Sequence, residues 1–528
     1  MRAIKSLASA TGALATIALA AGMAVAGSTP KTPIQHVVVI FQENVSFDHY
    51  FATYPIAKNT DGTSFAAMPG TPTVNNLASA GLLTNNPNGS NPFRLSNSQS
   101  ATCDQDHNYT DEQGMFDLGL MDNFLAYNSG CSPNQGHPND LIMGYFDGNT
   151  VTAIWNYAQH FAMNDNEYGT TFGPSAPGVI NLISGNTNGA IDISTSPSAA
   201  SDVVADGNGG FSVINDAQPA GDTCTSRDNL AMSGKNIGDE LNTAGVSWGF
   251  FQGGFDLTIT NPNGTTGCHR THTSATGEFP AKVDYIPHHQ GFQYYSSTAN
   301  PTHVRPTSSS TVGQASDPGN HQYDIHDFFD AVKAGNFPAV SFLKASGYQD
   351  GHAGYSSPLD EQTFLAETIN FLMTQKEWAN TLIIINWDDS DGWYDHQMSP
   401  IVSQSNTSAD VGTKGVNDGK ALCGSTNTNN IGGRCGYGPR IPYLVISPYA
   451  KPNFVDHTII DQSSTIRFIE DNWSLPRIAN SFDAIAGSID NMLDFSAKKV
   501  DAKKRELCVA PDTGAVTKCT KSETPPSN

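Results

Sequence analysis

Glu43 and Asn44 follow a nearly continuous apolar run at residues 34–41, and Asp388 and Asp389 follow another at residues 381–387. Carboxylates crowded at strand ends repel one another unless a cation holds them together. Glu, Asp and an amide carbonyl are hard oxygen ligands, suited to Mg, Ca, Mn or an oxygen-bound iron. Singly, each cluster reads as loop acids making caps or ion pairs; together they point to one metal ion. Ser175 stands in Gly173-Pro174-Ser175-Ala176-Pro177-Gly178, ahead of an apolar stretch with Pro early in its first turn, the pattern of a loop opening a short helix. A hydroxyl there faces backbone N–H groups and the positive helix end, a position that binds phosphate and stabilises an alkoxide. A plain N-cap serine is the commoner reading, and spacing alone does not displace it.

The chain has 15 histidines. His107 lies in Asp104-Gln105-Asp106-His107-Asn108-Tyr109, His288 and His289 follow Pro287, His352 follows Asp350-Gly351, and His396 closes Asp391-Gly392-Trp393-Tyr394-Asp395-His396. On loops at strand ends, imidazoles bind a phosphoryl group or protonate a leaving oxygen.

The elements that must position these residues read as an α/β chain. Strands are predicted at residues 34–41, 246–251, 337–343, 381–387 and 443–447. Helices are predicted at 151–160, 359–378 and 463–473, with Ile325, Phe328, Phe329 and Val332 on one face of a further one. Alternating strands and helices imply a mostly parallel sheet covered on both faces. Ligands then bind at the carboxyl ends of the strands, where the acids and histidines lie. Residues 54–110, 186–230 and 298–320 are polar and irregular.

The 528 residues carry a net charge of −23, with 15% charged and 38% hydrophobic residues. This balance excludes a coiled coil, a collagen-like chain and a nucleic-acid partner, which needs a cationic footprint. Arg2 and Lys5, the short apolar run at 14–21 and Ala24-Val25-Ala26 read as a signal peptide over residues 1–26. A catalytic domain over 27–496 and a peripheral tail over 497–528 follow. No later segment is apolar enough to span a membrane, so the expectation is an exported protein, periplasmic or extracellular. Eight cysteines agree with an oxidising compartment, and proximity suggests sequential pairs among Cys103, Cys131, Cys224, Cys268, Cys423, Cys435, Cys508 and Cys519.

The stretch Gln42-Glu43-Asn44-Val45-Ser46-Phe47-Asp48-His49-Tyr50-Phe51 resembles the Glu-Asn-x-Ser-Phe-Asp-His-Tyr-Phe motif of bacterial secreted phosphoesterases. That family joins phospholipases C with acid phosphatases of the acid phosphatase A type, within the alkaline-phosphatase-like superfamily. The similarity recurs around His107, at the Ser175 loop, at residues 284–290, 348–362 and 388–396, and runs from about 34 to 475. It implies a three-layer α/β/α sandwich and hydrolysis of a phosphate ester with one metal ion. It also implies metal ligands Glu43, Asn44, Ser175, Asp388 and Asp389 and a Ser175 nucleophile. His288 and His352 are the expected proton donors, and Asn44, His107 and His289 the expected substrate contacts; His396 stands further back. Phospholipase members usually show Thr-x-Pro-Asn-Arg at the nucleophile and Asp-Glu-Asn-Asp-Gly at the second acid cluster. This chain has Ser175-Ala176-Pro177-Gly178 and Asp388-Asp389-Ser390-Asp391-Gly392, and it ends soon after the core. The expectation is therefore a secreted acid phosphatase working through phosphoserine at mildly acidic pH. The alternatives are a phospholipase C acting on phosphatidylcholine-type diesters and a non-catalytic secreted binding protein.

Overall fold

A computed structural model describes residues 28–127, 140–191, 199–274, 277, 279, 281–410, 422–423, 431–496 and 500–520. The segment read as a signal peptide, residues 1–26, lies outside the described residues, as does Cys131.

Eight strands form the central sheet. In chain order they are β1 (His36–Gln42), β2 (Ala162–Asn164), β3 (Trp248–Gln252), β4 (Gln322–Asp324), β5 (Val340–Lys344), β6 (Thr381–Trp387), β7 (Tyr443–Ile446) and β8 (Phe454–Asp456). Their spatial order is β4-β3-β5-β1-β6-β7-β2-β8. Every neighbouring pair is parallel except the two that β7 makes. The fold is the expected three-layer α/β/α sandwich on a mostly parallel sheet. β1 and β6 lie side by side at its centre, and their continuous Val/Ile runs are buried because both faces of such a sheet are covered.

The register carries the functional consequence. Gln42 pairs with Trp387, so Glu43 and Asp388 are the next residues off adjacent strands. Ile40 pairs with Leu343, which puts the end of β5 on the other side of β1. Two clusters far apart in the sequence thus meet through one step of strand pairing.

Among the described residues, the α-helices of five residues or more are α1 (Phe47–Phe51), α2 (Tyr109–Phe116), α3 (Thr152–His160), α4 (Ser175–Ser184), α5 (Ile237–Ala244), α6 (Ile325–Lys333), α7 (Pro358–Met373) and α8 (Ser463–Trp473). The predicted helix over 359–378 ends earlier: α7 stops at Met373, and Lys376–Asn380 form a separate 3-10 turn. Ser357 caps its start by accepting the Asp360 N–H, with Pro358 at the first position. β2, β4 and β8 are three residues each, too short to show a period of two in the sequence.

Disulfides join Cys224–Cys268, Cys423–Cys435 and Cys508–Cys519, the sequential pairing expected, and Cys103 is also disulfide-bonded. Within the stretch read as a tail, Cys508–Val509 and Val516–Thr517 form a hairpin. Its Val509 N–H and C=O both bond the Asn370 side chain on α7, at 3.0 and 2.7 Å, and Leu507 and Val509 are buried. No helix among the described residues is long and apolar enough to cross a membrane.

Candidate active site

The turn after β1 carries Glu43 and Asn44. Asn44 has φ of 51°, a left-handed conformation that a non-glycine residue adopts at some cost. Its backbone N–H donates to Asp388 Oδ1 at 3.0 Å, and the Val45 N–H donates to the Asp389 carbonyl at 2.9 Å. The strained turn is thus tied directly to the turn after β6.

Ser175 is the first residue of α4. Its hydroxyl lies 3.0 Å from Glu43 Oε2 and 3.4 Å from Asp389 Oδ2, so it has a carboxylate acceptor on each turn. The helix can come this close because Gly178 has no side chain: a Cβ there would collide with the Asp388 carbonyl oxygen. The expected helix N–H groups are only partly open to a ligand. The Ala176 N–H donates to Asp216 Oδ1 at 2.8 Å, which caps the helix with a carboxylate.

The acids are buried and crowd one another. Burial, then Asp388, push the Glu43 carboxyl well above its usual range, against the opposing pull of Lys344. Burial and Asp388 do the same to Asp389, and burial pushes Asp350 up to about 8. Such a set is stable as carboxylates only with added positive charge. Three carboxylates and a hydroxyl at Glu43, Asp388, Asp389 and Ser175 suit a hard divalent cation. The fit is uneven. Asp388 Oδ1 already accepts two backbone N–H groups, from Asn44 and Asp389, and the Asn44 amide engages His107 through Nδ2 at 3.3 Å.

Lys344, the last residue of β5, was not singled out from sequence although it stands at a strand's carboxyl end. Its ammonium is fully buried, paired with Glu43 Oε1 and 3.9 Å from Asp388 Oδ2. Asp350, Glu112 and Asp216 were also missed, being acids inside loops or a weakly patterned helix.

The histidines surround this cluster. His289 Nδ1 is 3.3 Å from Glu43 Oε1, and the His288 ring packs edge-on to it at 4.6 Å. His288 itself faces Asp216 Oδ2 at 3.7 Å and Arg227 at 3.3 Å. His107 and His352 meet edge-on at 6.2 Å. Each turns Nδ1 to a backbone carbonyl, Gln105 at 2.8 Å and Ala353 at 2.5 Å, and His107 Nε2 faces the Asn44 amide at 3.3 Å.

Their charges differ. Burial pushes His288 down to about 4, and burial lowers His289 and His352 as well. For His107, burial acts in the same sense but Asp389, Asp391 and Asp104 outweigh it and hold the ring well above its usual value. His396 sits behind the site. It pairs with Asp48 at 2.5 Å, and Arg440 bridges Asp48 and Asp395 at 3.4 and 3.1 Å.

Among the described residues, three other groups bring metal-capable atoms together. Asp222 and His303 lie 3.1 Å apart beside the disulfide cysteine Cys224, and Asp48, Asp395 and His396 already enclose the Arg440 cation. Asp104, His107, His352 and Asp391 adjoin the site on the His107 side.

A cavity of about 700 Å³ opens beside His107 and Pro174. Asp104, Asp106, Asp202, Asp216 and Asp228 line it together with Arg227. Burial, then Asp216 and Asp228, push Asp202 up to about 6. Five carboxyl groups on this wall thus face the guanidinium of Arg227 and the His107 ring.

The profile of the Phosphoesterase family matches residues 34–476. Among curated proteins, the chain is 24% identical over 488 residues to Phospholipase C B of Mycobacterium tuberculosis, covering 88% of this chain and 78% of that protein. It is also 24% identical over 477 residues to the Non-hemolytic phospholipase C of Pseudomonas aeruginosa, covering 88% of this chain and 57% of that one. Phospholipase C A of Mycobacterium tuberculosis is 23% identical over 483 residues, covering 88% and 78%.

Proposed function

The chain belongs to the Phosphoesterase family, and from that premise we propose that it is an exported, metal-dependent phosphodiesterase of the phospholipase C type. Its favoured substrate is a diester whose head group carries a positive charge. The observation that carries this reading is the acidic cavity lined by His107 and by Pro174, the residue before Ser175. A phosphomonoester brings up to two negative charges to a wall with five carboxyl groups. A choline- or ethanolamine-type diester brings one, and its cation offsets that wall. The relatives named phospholipase C support the same choice. This reverses the ranking drawn from the nucleophile motif. Acid phosphatase activity remains the second reading, favoured by Ser175-Ala176-Pro177-Gly178 in place of the Thr-x-Pro-Asn-Arg pattern.

The ligands of the ion in this reading are Glu43, Asp388, Asp389 and Ser175, with Asn44 at the edge of the set. A divalent ion there would lower the hydroxyl pKa and offset charge on the phosphoryl oxygens. Ser175 gives its proton to Glu43 or Asp389, the carboxylates within reach, and attacks phosphorus. The Ser175 O–P bond forms as the bond to the glycerol oxygen breaks. His107 supplies the proton to that oxygen, because the facing Asp389, Asp391 and Asp104 hold its imidazole well above its usual value. It takes the role that sequence reasoning gave to His352 or His288, both of which burial pushes the other way. Asn44 and His289 contact the phosphoryl oxygens. Water then attacks the phosphoserine and releases the phosphorylated head group with Ser175 restored.

Initial rates on phosphatidylcholine vesicles and on p-nitrophenyl phosphate test the choice. The diester is expected to have at least about a tenfold higher kcat/KM, and Ser175→Ala is expected to lose both activities. A preference for the aryl monoester establishes the phosphatase reading. No turnover of either by the metal-loaded protein overturns both.

A further inference from the structure

Lys344 is a cation in a place where cations are costly. It ends a strand in the middle of the sheet, its side chain has no exposure, and the Phe41 ring lies 4.8 Å from its ammonium. A buried lysine survives only when anions repay its desolvation. Here they do: Glu43 Oε1 is in contact with it and Asp388 Oδ2 is 3.9 Å away. The same Glu43 presents its other oxygen to the Ser175 hydroxyl at 3.0 Å. One carboxylate thus links a fixed positive charge to the nucleophile.

We propose that Lys344 is a built-in counter-cation of the active site, which holds Glu43 toward Ser175 and neutralises one of the three carboxylates of the donor set. With it, Glu43, Asp388 and Asp389, once all three are ionised, present a net charge of minus two, matched by a divalent ion. Without it they present minus three. Lys344 is a positioning residue: it contacts Glu43 and Asp388, and the Ser175 nucleophile lies on the far oxygen of Glu43. It also lets the acids stay together before any ion arrives, because one counter-charge is part of the chain. The inference rests on the metal reading of this site, but its stability arm does not.

The test uses the full chain stripped with a chelator, with Mn as the probe ion. Lys344→Met keeps an unbranched side chain and removes the charge. The stripped variant is expected to melt about 5 °C or more below the stripped parent. Its Mn dissociation constant is expected to be about tenfold tighter or more, because a repelling charge is gone. On the loaded enzyme kcat is expected to fall with KM little changed, since Lys344 has no place in substrate binding. Adding Glu43→Gln to Lys344→Met removes the uncompensated carboxylate and is expected to recover the lost melting temperature. If the single variant does not accumulate in soluble form, the relative soluble yield of the double variant decides the same question. Equal melting temperatures and Mn affinities for parent and Lys344→Met overturn the proposal. So does a double variant no better than the single one, which would make Lys344 a packing residue. Failure of the parent to bind Mn, with the melting-temperature cycle intact, instead sinks the metal reading and leaves the counter-cation standing.

Discussion

Glu112 Oε2 accepts the backbone N–H of Gly173 at 2.8 Å, two residues before the nucleophile. Its Oε1 accepts the Ser390 hydroxyl at 2.8 Å, one residue after Asp389. One carboxyl group on α2 therefore braces the two loops that deliver Ser175 and Asp389. Burial pushes its pKa up to about 8, with the two hydrogen bonds opposing. Glu112→Gln keeps the shape but leaves a single acceptor oxygen for two donors. We expect kcat to fall about tenfold or more with KM nearly unchanged, and stability to drop by about 1–3 kcal/mol. Steady-state kinetics and thermal unfolding check this; unchanged kcat would show that the loops hold without the brace.

Gly178 sets how near the nucleophile's helix comes to the second acid turn. A methyl group placed against the Asp388 carbonyl oxygen must push α4 and that turn apart. Gly178→Ala is expected to cost about 1–3 kcal/mol and to lower kcat more than about tenfold, because Ser175 leaves Glu43 and Asp389. A variant with near-parent kcat would mean that the 3.0 Å contact of Ser175 with Glu43 is not needed for turnover.

Much of the centre was legible in the sequence. Residues 381–387 and 463–473 form the predicted strand and helix, and Glu43 and Asp388 meet because apolar runs of that kind pair in parallel. What stayed hidden depends on neighbours rather than on period. Lys344 ends a buried strand with no acid near it in sequence, and its partner Glu43 lies in the turn just past the neighbouring strand β1. Glu112 sits in α2, whose polar residues give no apolar stripe, so its burial comes from the loops that fold over it. The ionisation of the histidines was equally out of reach. His352 is buried and His107 partly so, both on site loops, yet the three aspartates facing His107 shift the two rings in opposite directions.

That separation fixes a pH dependence. His107 is held protonated above its ordinary value, so the donor is present through neutral pH and lost as pH rises through the raised pKa. Activity is expected to persist at pH 7 and to fall on the alkaline side. His107→Gln should remove that alkaline limb along with most of the rate. His288, pushed down to about 4, predicts a different profile, with the rate climbing as pH falls toward that value. A kcat/KM profile of parent and His107→Gln distinguishes them, and an alkaline limb that survives in the variant assigns the donor elsewhere.

The acidic cavity makes the last prediction a matter of sign. Asp202 and Asp228 line the cavity, while the Ser175 hydroxyl bonds Glu43 and Asp389. Changing both to Asn removes up to two negative charges from the mouth and leaves its shape. If the wall attracts a cationic head group, KM for phosphatidylcholine rises several-fold in Asp202→Asn/Asp228→Asn while kcat stays within about twofold. The same substitutions should lower KM for p-nitrophenyl phosphate, because a dianion no longer meets that repulsion. Both shifts should shrink at high salt, since these groups are partly exposed and screened. Opposite movement of the two KM values is the signature of a charge-selective mouth. If both substrates move the same way, the cavity acts on access rather than charge, and the preference for a zwitterionic diester must come from contacts deeper than this wall.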